Sequence, residues 1–263
     1  MATTTAATAL VRPPGSRLTE GLVTHQERVP VDLPLARRQW SAYCDAMRAS
    51  AWDLIEVPGA DDCPDAVFVE DAVVMYRNVA VISRPGADSR RPETAAVEVV
   101  LESLGCSINH IVAPGTLDGG DVLKVDDVVY VGRGGRTNAE GIRQLRAILS
   151  PLGATVVAVP IHRVLHLKSA VTALPDGSII GYPPAVDEPA FFPRFVPVAE
   201  ESGAHVVLLG GQRLLIAADC PKSAEQLRDR GYGLTVVDIS EFQKLEGCVT
   251  CLSVRLRSRF ASD

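Results

Sequence analysis

Apolar and polar positions along this chain fall into short β-type runs that meet at polar turns, and four such meetings recur. VVMY and VAVIS flank Arg77-Asn78, and VLKV and VVYVG flank Asp126-Asp127. VTAL and SIIGY flank Asp176-Gly177, and HVVLLG and RLLIAA flank Gly211-Gln212. Two β-rich runs separated by a short polar or glycine turn predict a hairpin. Asp126 stands 49 residues after Arg77, Asp176 stands 49 after Asp127, and Gly211 follows Asp176 by 35. Helical periodicity follows most of the hairpins, over 92–105, 137–153 and 222–231, and a further helical pattern runs over 35–50. Thr137 or Asn138 is the expected cap of the second hairpin's helix, with Gly153 as its stop, and Ser223 is a candidate cap for the helix over 222–231. Apolar strands CSINHIVAP, ATVVAVPI and LTVVDIS close these units, and WDLIEVP closes the one that starts near the N-terminus.

The unit is thus hairpin, helix, strand, repeated about five times. Near-constant spacing of such units predicts a closed radial array rather than an open α/β sheet with hairpin insertions. TALVRP and CLSVRL are lone strands at the two ends of the chain. Pairing them would complete a fifth unit and remove two exposed edges. The whole chain, 1–263, reads as a single catalytic α/β domain with a disordered tail over 1–8.

Composition narrows the function classes. A net charge of −6 and a pI near 5.4 give no overall attraction to nucleic acid or anionic lipid. No run approaches the ~20 apolar residues of a membrane span, and MATTTAATALV has no basic segment of a secretory signal. Six cysteines scattered without an export signal are expected to be free thiols of a cytoplasmic protein.

Chemistry concentrates at strand ends. Cys248 and Cys251 in EGCVTCLSV could be a metal clip together with His162 and His166, a redox pair, two small buried hydrophobes, or one nucleophile with a neighbour. The histidines lie far upstream of the cysteines and on no predicted helix, which disfavours zinc. A β pattern rather than a helix follows the cysteines, which disfavours a thioredoxin-like pair. FVED brings Glu70 and Asp71, LDGGD brings Asp118, GRTN brings Arg136, and HLKS brings His166 and Lys168. In a radial array these ends converge on one pocket. A cysteine with a histidine suits attack on an electrophilic carbon. Carboxylates suit a planar cation, and Arg90 with Arg136 suits a carboxylate. A guanidino amino acid has both ends.

The ordered set LVRPP, PDAVFVED, SRPGADSRR, GTLDGGDVL, GRTN, LHLKS and LEGCVTCLSV resembles the dimethylarginine dimethylaminohydrolase family, within the superfamily of arginine deiminases and amidinotransferases. The resemblance implies a five-bladed α/β propeller of ββαβ repeats, the pentein fold. It implies Cys251 as nucleophile, His166 as general acid and base, and Asp118 as the residue orienting the histidine. Asp71, helped by Glu70, would hold the guanidinium. Arg90 and Arg136 would bind the α-carboxylate. Asp65, with the carbonyls of Leu18 and Leu245, would bind the α-ammonium. The implied reaction hydrolyses asymmetric dimethylarginine or monomethylarginine to citrulline and an amine. The alternative is a deiminase acting on arginine or another guanidino compound. In the deiminases the tripeptide here written HLK ends in Asp, and the lack of that second carboxylate favours the methylated substrates, whether Lys168 has a role or is a solvated charge pointing away. No metal and no organic cofactor is expected, nor any nucleic acid or membrane partner, and the chain would act as a monomer or homodimer.

Overall fold

A computed structural model describes residues 7–256 of the 263. Five three-stranded sheets surround a common axis. The first holds β1 (Ala7–Val11) and β2 (Trp52–Glu56), joined by α1 (Leu33–Ala49). The second holds β3 (Val73–Tyr76), β4 (Val79–Ile82) and β5 (Ser107–His110), with α2 (Thr94–Ser103) before its last strand. The third holds β6 (Val122–Val125), β7 (Val128–Arg133) and β8 (Thr155–Pro160), with α3 (Ala139–Leu149). The fourth holds β9 (Val171–Ala173), β10 (Ile179–Gly181) and β11 (Phe195–Pro197). The fifth holds β12 (Val206–Gly210), β13 (Arg213–Ala217) and β14 (Gly233–Val237), with α4 (Pro221–Asp229); α5 (Ser240–Gln243) and β15 (Val254–Leu256) follow. In each complete repeat the hairpin pairs antiparallel and the returning strand pairs parallel. The two end strands do pair: β15 lies antiparallel to β1, with Ala9 opposite Arg255, and completes the first sheet.

Alternation along each strand explains why the array closes. On β1, Ala9 and Val11 face the fifth sheet, packing with Val207 and Leu215, while Leu10 between them faces the second sheet with Val73 and Ile82. On β7, Val129 and Val131 pack toward the second sheet, and Tyr130 toward the fourth. On β13, Leu214 and Ile216 pack toward the fourth sheet, and Leu215 and Ala217 toward the first. A strand buried on both faces must be apolar at every position, hence runs such as VVMY and LLIA. Each of the five apolar clusters spans two neighbouring sheets, and the last returns to the first, so the ring has no free face.

Arg77 and Asp126 take positive φ, 51° and 50°, in the two-residue turns expected of the first two hairpins. Asn138 is the cap of α3, accepting from the Gly141 N–H at 2.8 Å, and Gly153 at φ 91° follows its last turn. Ser223 is not a cap: α4 begins at Pro221, after Cys220, and the Ser223 hydroxyl inside its first turn meets Glu200. The fourth repeat has no α-helix. Pro183, Pro184, Pro189 and Pro193 crowd its crossover, and each removes a helical donor, so only short 3₁₀ turns form there. The tail expected over 1–8 lies outside the described residues except for Ala7 and Thr8, which belong to β1. Among the described residues no helix is long and apolar enough to cross a membrane.

Candidate active site

The first strands of the repeats surround an axial cavity of about 710 Å³, lined by Lys124, Thr172 and Arg255 among others. Where the chain turns into those strands, three 3₁₀ turns and a β-turn gather the polar strand ends, and a fourth 3₁₀ turn joins them from between β4 and α2. Glu70 and Asp71 lie on the turn Val69–Ala72, Arg90 on Asp88–Glu93, Asp118 just before Gly119–Asp121, and His166 just before Leu167–Ser169. The β-turn is closed by the Cys251 N–H donating to the Cys248 carbonyl at 3.1 Å. A separate small cavity of about 20 Å³ opens at this end, lined by Asp65, Asp71, Arg136, His166, Glu246 and Cys251 among others. Of the ten residues expected from the sequence, Asp65, Asp71, Arg90, Arg136, His166, Leu245 and Cys251 line this cavity, Asp118 adjoins it through His166, and Glu70 lines the axial cavity instead. Leu18 lines neither cavity: its side chain is in the core and its carbonyl accepts from the Gly21 N–H at 3.0 Å. Leu22 reaches the cavity in its place.

The GG of LDGGD is a packing requirement. A β-carbon on Gly119 would stand 2.1 Å from the Glu70 carbonyl oxygen, and one on Gly120 would stand 2.6 Å from Asp71 Oδ1 and 2.7 Å from His166 Nδ1. Only glycine lets the Asp118 turn approach both groups, and the Gly120 N–H then donates to Asp71 Oδ1 at 2.8 Å. Asp118 is fully buried. Its Oδ1 accepts from the Gly86 N–H at 2.8 Å and its Oδ2 from His166 Nε2 at 2.9 Å. That bond turns Nδ1 toward Asp71 Oδ1, 3.8 Å away. Burial works against the imidazolium, but the charge of Asp71, the bond to Asp118 and the charge of Asp121 outweigh it and raise His166 to about 9. His166 is thus protonated at neutral pH and does not titrate at its ordinary value. Asp71 is opposed by its own burial, yet His166 and Arg90 lower it.

Cys248 Sγ and Cys251 Sγ stand 3.3 Å apart, and the Cys248 N–H points at Cys251 Sγ from 3.5 Å. The hydrogen bond from Cys251 lowers Cys248 to about 5 despite its burial. The same bond, then burial and the Cys248 charge, raise Cys251. The pair therefore loses one proton easily and the second with difficulty, and the remaining proton lies between the two sulfurs. Only Cys251 lines the small cavity. When it carries the charge, the Cys248 S–H and N–H both donate to it.

The two arginines differ. Arg90 is buried, with Nη1 on Asp71 Oδ2 at 2.6 Å and Nη2 on Glu93 Oε2 at 2.8 Å and on the Phe68 carbonyl at 3.2 Å. Arg136 has a buried Nη1 with no hydrogen-bond partner among the described residues, 3.7 Å from Asp118 Oδ2. Glu70 points away from Asp71: its Oε1 accepts from Lys168 at 2.7 Å and from Arg255 at 2.6 Å, while Oε2 is buried without a partner among the described residues. Lys168 is accordingly a buried ion-pair member rather than a solvated charge. Asp65 accepts from the Leu22 N–H at 3.0 Å.

Two contributors escaped the sequence reading. Asp121, the last residue of LDGGD, accepts from the Thr137 hydroxyl at 2.5 Å and from the Leu167 N–H at 3.0 Å, so it fixes the backbone next to His166. Burial raises it to about 7. Its place in the motif was visible, but its inward direction was not. Arg255 is the other, masked by its apolar strand. Glu246, with φ 60°, accepts from the Thr24 and His25 N–H groups at 2.7 and 2.6 Å and so clamps the loop over the cavity to the turn that bears Cys251. His162 is exposed on a loop, its N–H on Asp187, and takes no part. Among the described residues, the ligand atoms that converge within 4.8 Å are those of Asp71, Asp118 and His166, already joined to Arg90, to Gly86 and to each other; the two cysteines are not in that group.

The arginine deiminase family model matches residues 55–207. A curated dimethylarginine dimethylaminohydrolase of Streptomyces coelicolor is 67% identical over 252 residues, 96% of this chain and 98% of that one. The dimethylarginine dimethylaminohydrolase of Pseudomonas aeruginosa, solved as a cysteine-to-serine variant with citrulline, superposes with a TM-score of 0.89 at 34% identity, over 95% of this chain and 99% of that one. A histidine-to-glycine variant of a dimethylarginine dimethylaminohydrolase carrying an S-methyl-L-thiocitrulline adduct also gives 0.89, at 33% identity, over 96% and 100%. Five ββαβ repeats closed into a pentein propeller, and likeness over nearly the whole length, place the chain in the dimethylarginine dimethylaminohydrolase family.

Proposed function

We propose that this protein hydrolyses asymmetric dimethylarginine and monomethylarginine to citrulline and dimethylamine or methylamine. The observation that carries this reading is a pair of orphaned atoms. Glu70 Oε2 is a buried acceptor beside the Cys251 turn, to which the Glu70 N–H is bonded at 3.2 Å, and Arg136 Nη1 is a buried donor elsewhere in the same region. A buried polar atom without a partner is completed by a ligand or by solvent. A substrate with a cation at one end and a carboxylate at the other completes both.

In this reading Cys251 thiolate attacks the guanidinium carbon held by Asp71 and Glu70. His166, already protonated, gives its proton to the departing amine, and Asp118 keeps the ring oriented. The neutral imidazole then takes a proton from the water that attacks the S-alkylthiouronium carbon, and citrulline leaves with Cys251 restored. Arg136 binds the α-carboxylate, and Arg90 also braces Asp71. Asp65 and the Leu245 carbonyl meet the α-ammonium, with the Leu18 carbonyl available only if the loop over the cavity rearranges. A 20 Å³ cavity cannot hold an arginine, so that loop lifts from Asp65 and Glu246 on entry. The reading calls for a monomer or homodimer and gives no role to a metal or organic cofactor. Six cysteines scattered along the chain suit a reducing, cytoplasmic setting.

Substrate choice follows from Lys168. Its ion pair with Glu70 leaves the cation site short of acceptors for the five N–H donors of an unmethylated guanidinium. Methylation removes donors that would go unmatched. A panel of arginine, monomethylarginine, the two dimethylarginines and agmatine tests this. Asymmetric dimethylarginine and monomethylarginine should have the highest kcat/KM, with symmetric dimethylarginine rejected and agmatine, lacking the carboxylate for Arg136, poor. Arginine at or above the methylated forms would make the protein a deiminase.

The pH profile is a second test. Attack needs an ionised thiol and a protonated histidine in the free enzyme. The kcat/KM should fall as pH drops through about 5, where the thiol pair regains its proton, and as pH rises through about 9, where His166 loses its own. An alkaline limb at the ordinary histidine value of 6.5 would remove the carboxylate cage from the explanation.

A further inference from the structure

Cys248 has no step in the reaction above, yet it lies against the reacting sulfur. We infer that Cys248 is a resolving thiol: a small peroxide oxidises Cys251, and Cys248 then closes a reversible Cys248–Cys251 disulfide that switches the enzyme off. The inference rests on Cys251 being the reacting thiol of the proposed hydrolysis.

The backbone already has the required shape. The Cys251 N–H to Cys248 carbonyl bond closes a four-residue turn, which brings its end Cα atoms within about 7 Å. Disulfides bridge Cα atoms about 4.4–6.8 Å apart. The sulfurs, at 3.3 Å, need little more than side-chain rotation to reach bonding distance. Both residues are buried, and the hydrogen bonds of the Cys248 sulfur run to Cys251 and Thr250, so each cysteine has the other as its sulfur neighbour at hydrogen-bonding range.

The cavity selects the oxidant. A void of 20 Å³ exceeds the ~10–15 Å³ a water needs. A small peroxide is therefore the oxidant that needs the least movement of the loop held by Glu246. The steps balance. Cys251 thiolate attacks a peroxide oxygen, an S–O bond forms, the O–O bond breaks, and the leaving hydroxide takes a proton to become water. The Cys248 sulfur attacks the Cys251 sulfenic acid, S–S forms, S–O breaks, and the second hydroxide leaves as water with the Cys248 proton. Two thiols and one peroxide give one disulfide and two waters. A dithiol reductant returns both electrons. Without a resolving thiol the sulfenic acid proceeds to sulfinic acid, which thiols do not reverse.

The test is stoichiometric hydrogen peroxide on the intact protein, followed by peptide mass mapping and by activity before and after dithiothreitol. The expected result is a peptide containing residues 248 and 251 lighter by two hydrogens, activity lost in proportion, and nearly full recovery with dithiothreitol. In Cys248→Ala, activity relative to that variant's own starting value should recover to no more than about a tenth. Oxygen added to Cys251 of the wild type without the loss of two hydrogens would overturn the inference, as would a disulfide to another cysteine or full recovery in Cys248→Ala. The mass result reads the pair's chemistry directly, so it stands or falls separately from turnover of any guanidino substrate.

Discussion

Cys251→Ser should lose turnover by on the order of 10⁴-fold or more, because a hydroxyl near neutral pH is a far weaker nucleophile than a thiol that ionises as one of a pair. The fold should survive. Cys251 is 7% exposed, its sulfur hydrogen-bonds the Cys248 N–H and the Cys248 sulfur, and a serine hydroxyl can take the same partners. A cost of about 1 kcal/mol would move the thermal midpoint by roughly 2–4 °C in a domain of this size. The contrast that gives the result meaning is Cys248→Ser, expected to keep most of the activity. Cys248 is the more easily ionised of the two, so acidity alone would choose it as nucleophile. Position decides otherwise, since only Cys251 faces the cavity that His166 and Asp71 also line. Steady-state rates of the two variants, with melting curves alongside, discriminate. Reversed phenotypes would transfer the role to Cys248.

His166→Asn should reduce kcat by more than the ~10²-fold common for a single acid–base group, since one side chain serves first as acid and then as base. Asparagine can still hydrogen-bond Asp118, so the loss reports the proton and not the orientation of a neighbour. The variant should also lose the alkaline limb near 9, because the group that titrates there is gone. His162→Ala is the control: His162 is exposed and outside the site, and its replacement should be mild. Equal damage from both would bring back a shared metal site.

Periodicity carried the fold. Runs such as VVMY and LLIA are apolar at every position because the strands are buried on both faces, and the near-equal spacing of the hairpin turns follows from equal sheets around one axis. The lone strands at the two ends pair, β15 on β1, because together with β2 they complete a sheet of the same three-stranded size as the other four. The fourth repeat departs from the expected unit: the prolines between Gly181 and Phe195 leave it without an α-helix. Residue type also carried much of the site: a cysteine, a histidine, acids and arginines at strand ends, in an order characteristic of the family.

Direction was the part left to the tertiary structure. Glu70 and Asp71 are adjacent, and the turn at Val69–Ala72 sends one toward Lys168 and Arg255 and the other toward Arg90 and His166. Arg90 and Arg136 are the same residue type, yet one is ringed by acceptors and the other keeps a buried donor with no hydrogen-bond partner among the described residues. His166 is an imidazolium because residues 71, 118 and 121 converge on it from different parts of the chain. Cys248 and Cys251 share a proton because a β-turn sets their sulfurs 3.3 Å apart. Charge state and hydrogen-bond partner depend on distances of a few ångströms between segments far apart in sequence, and periodicity along one chain holds no information about those distances.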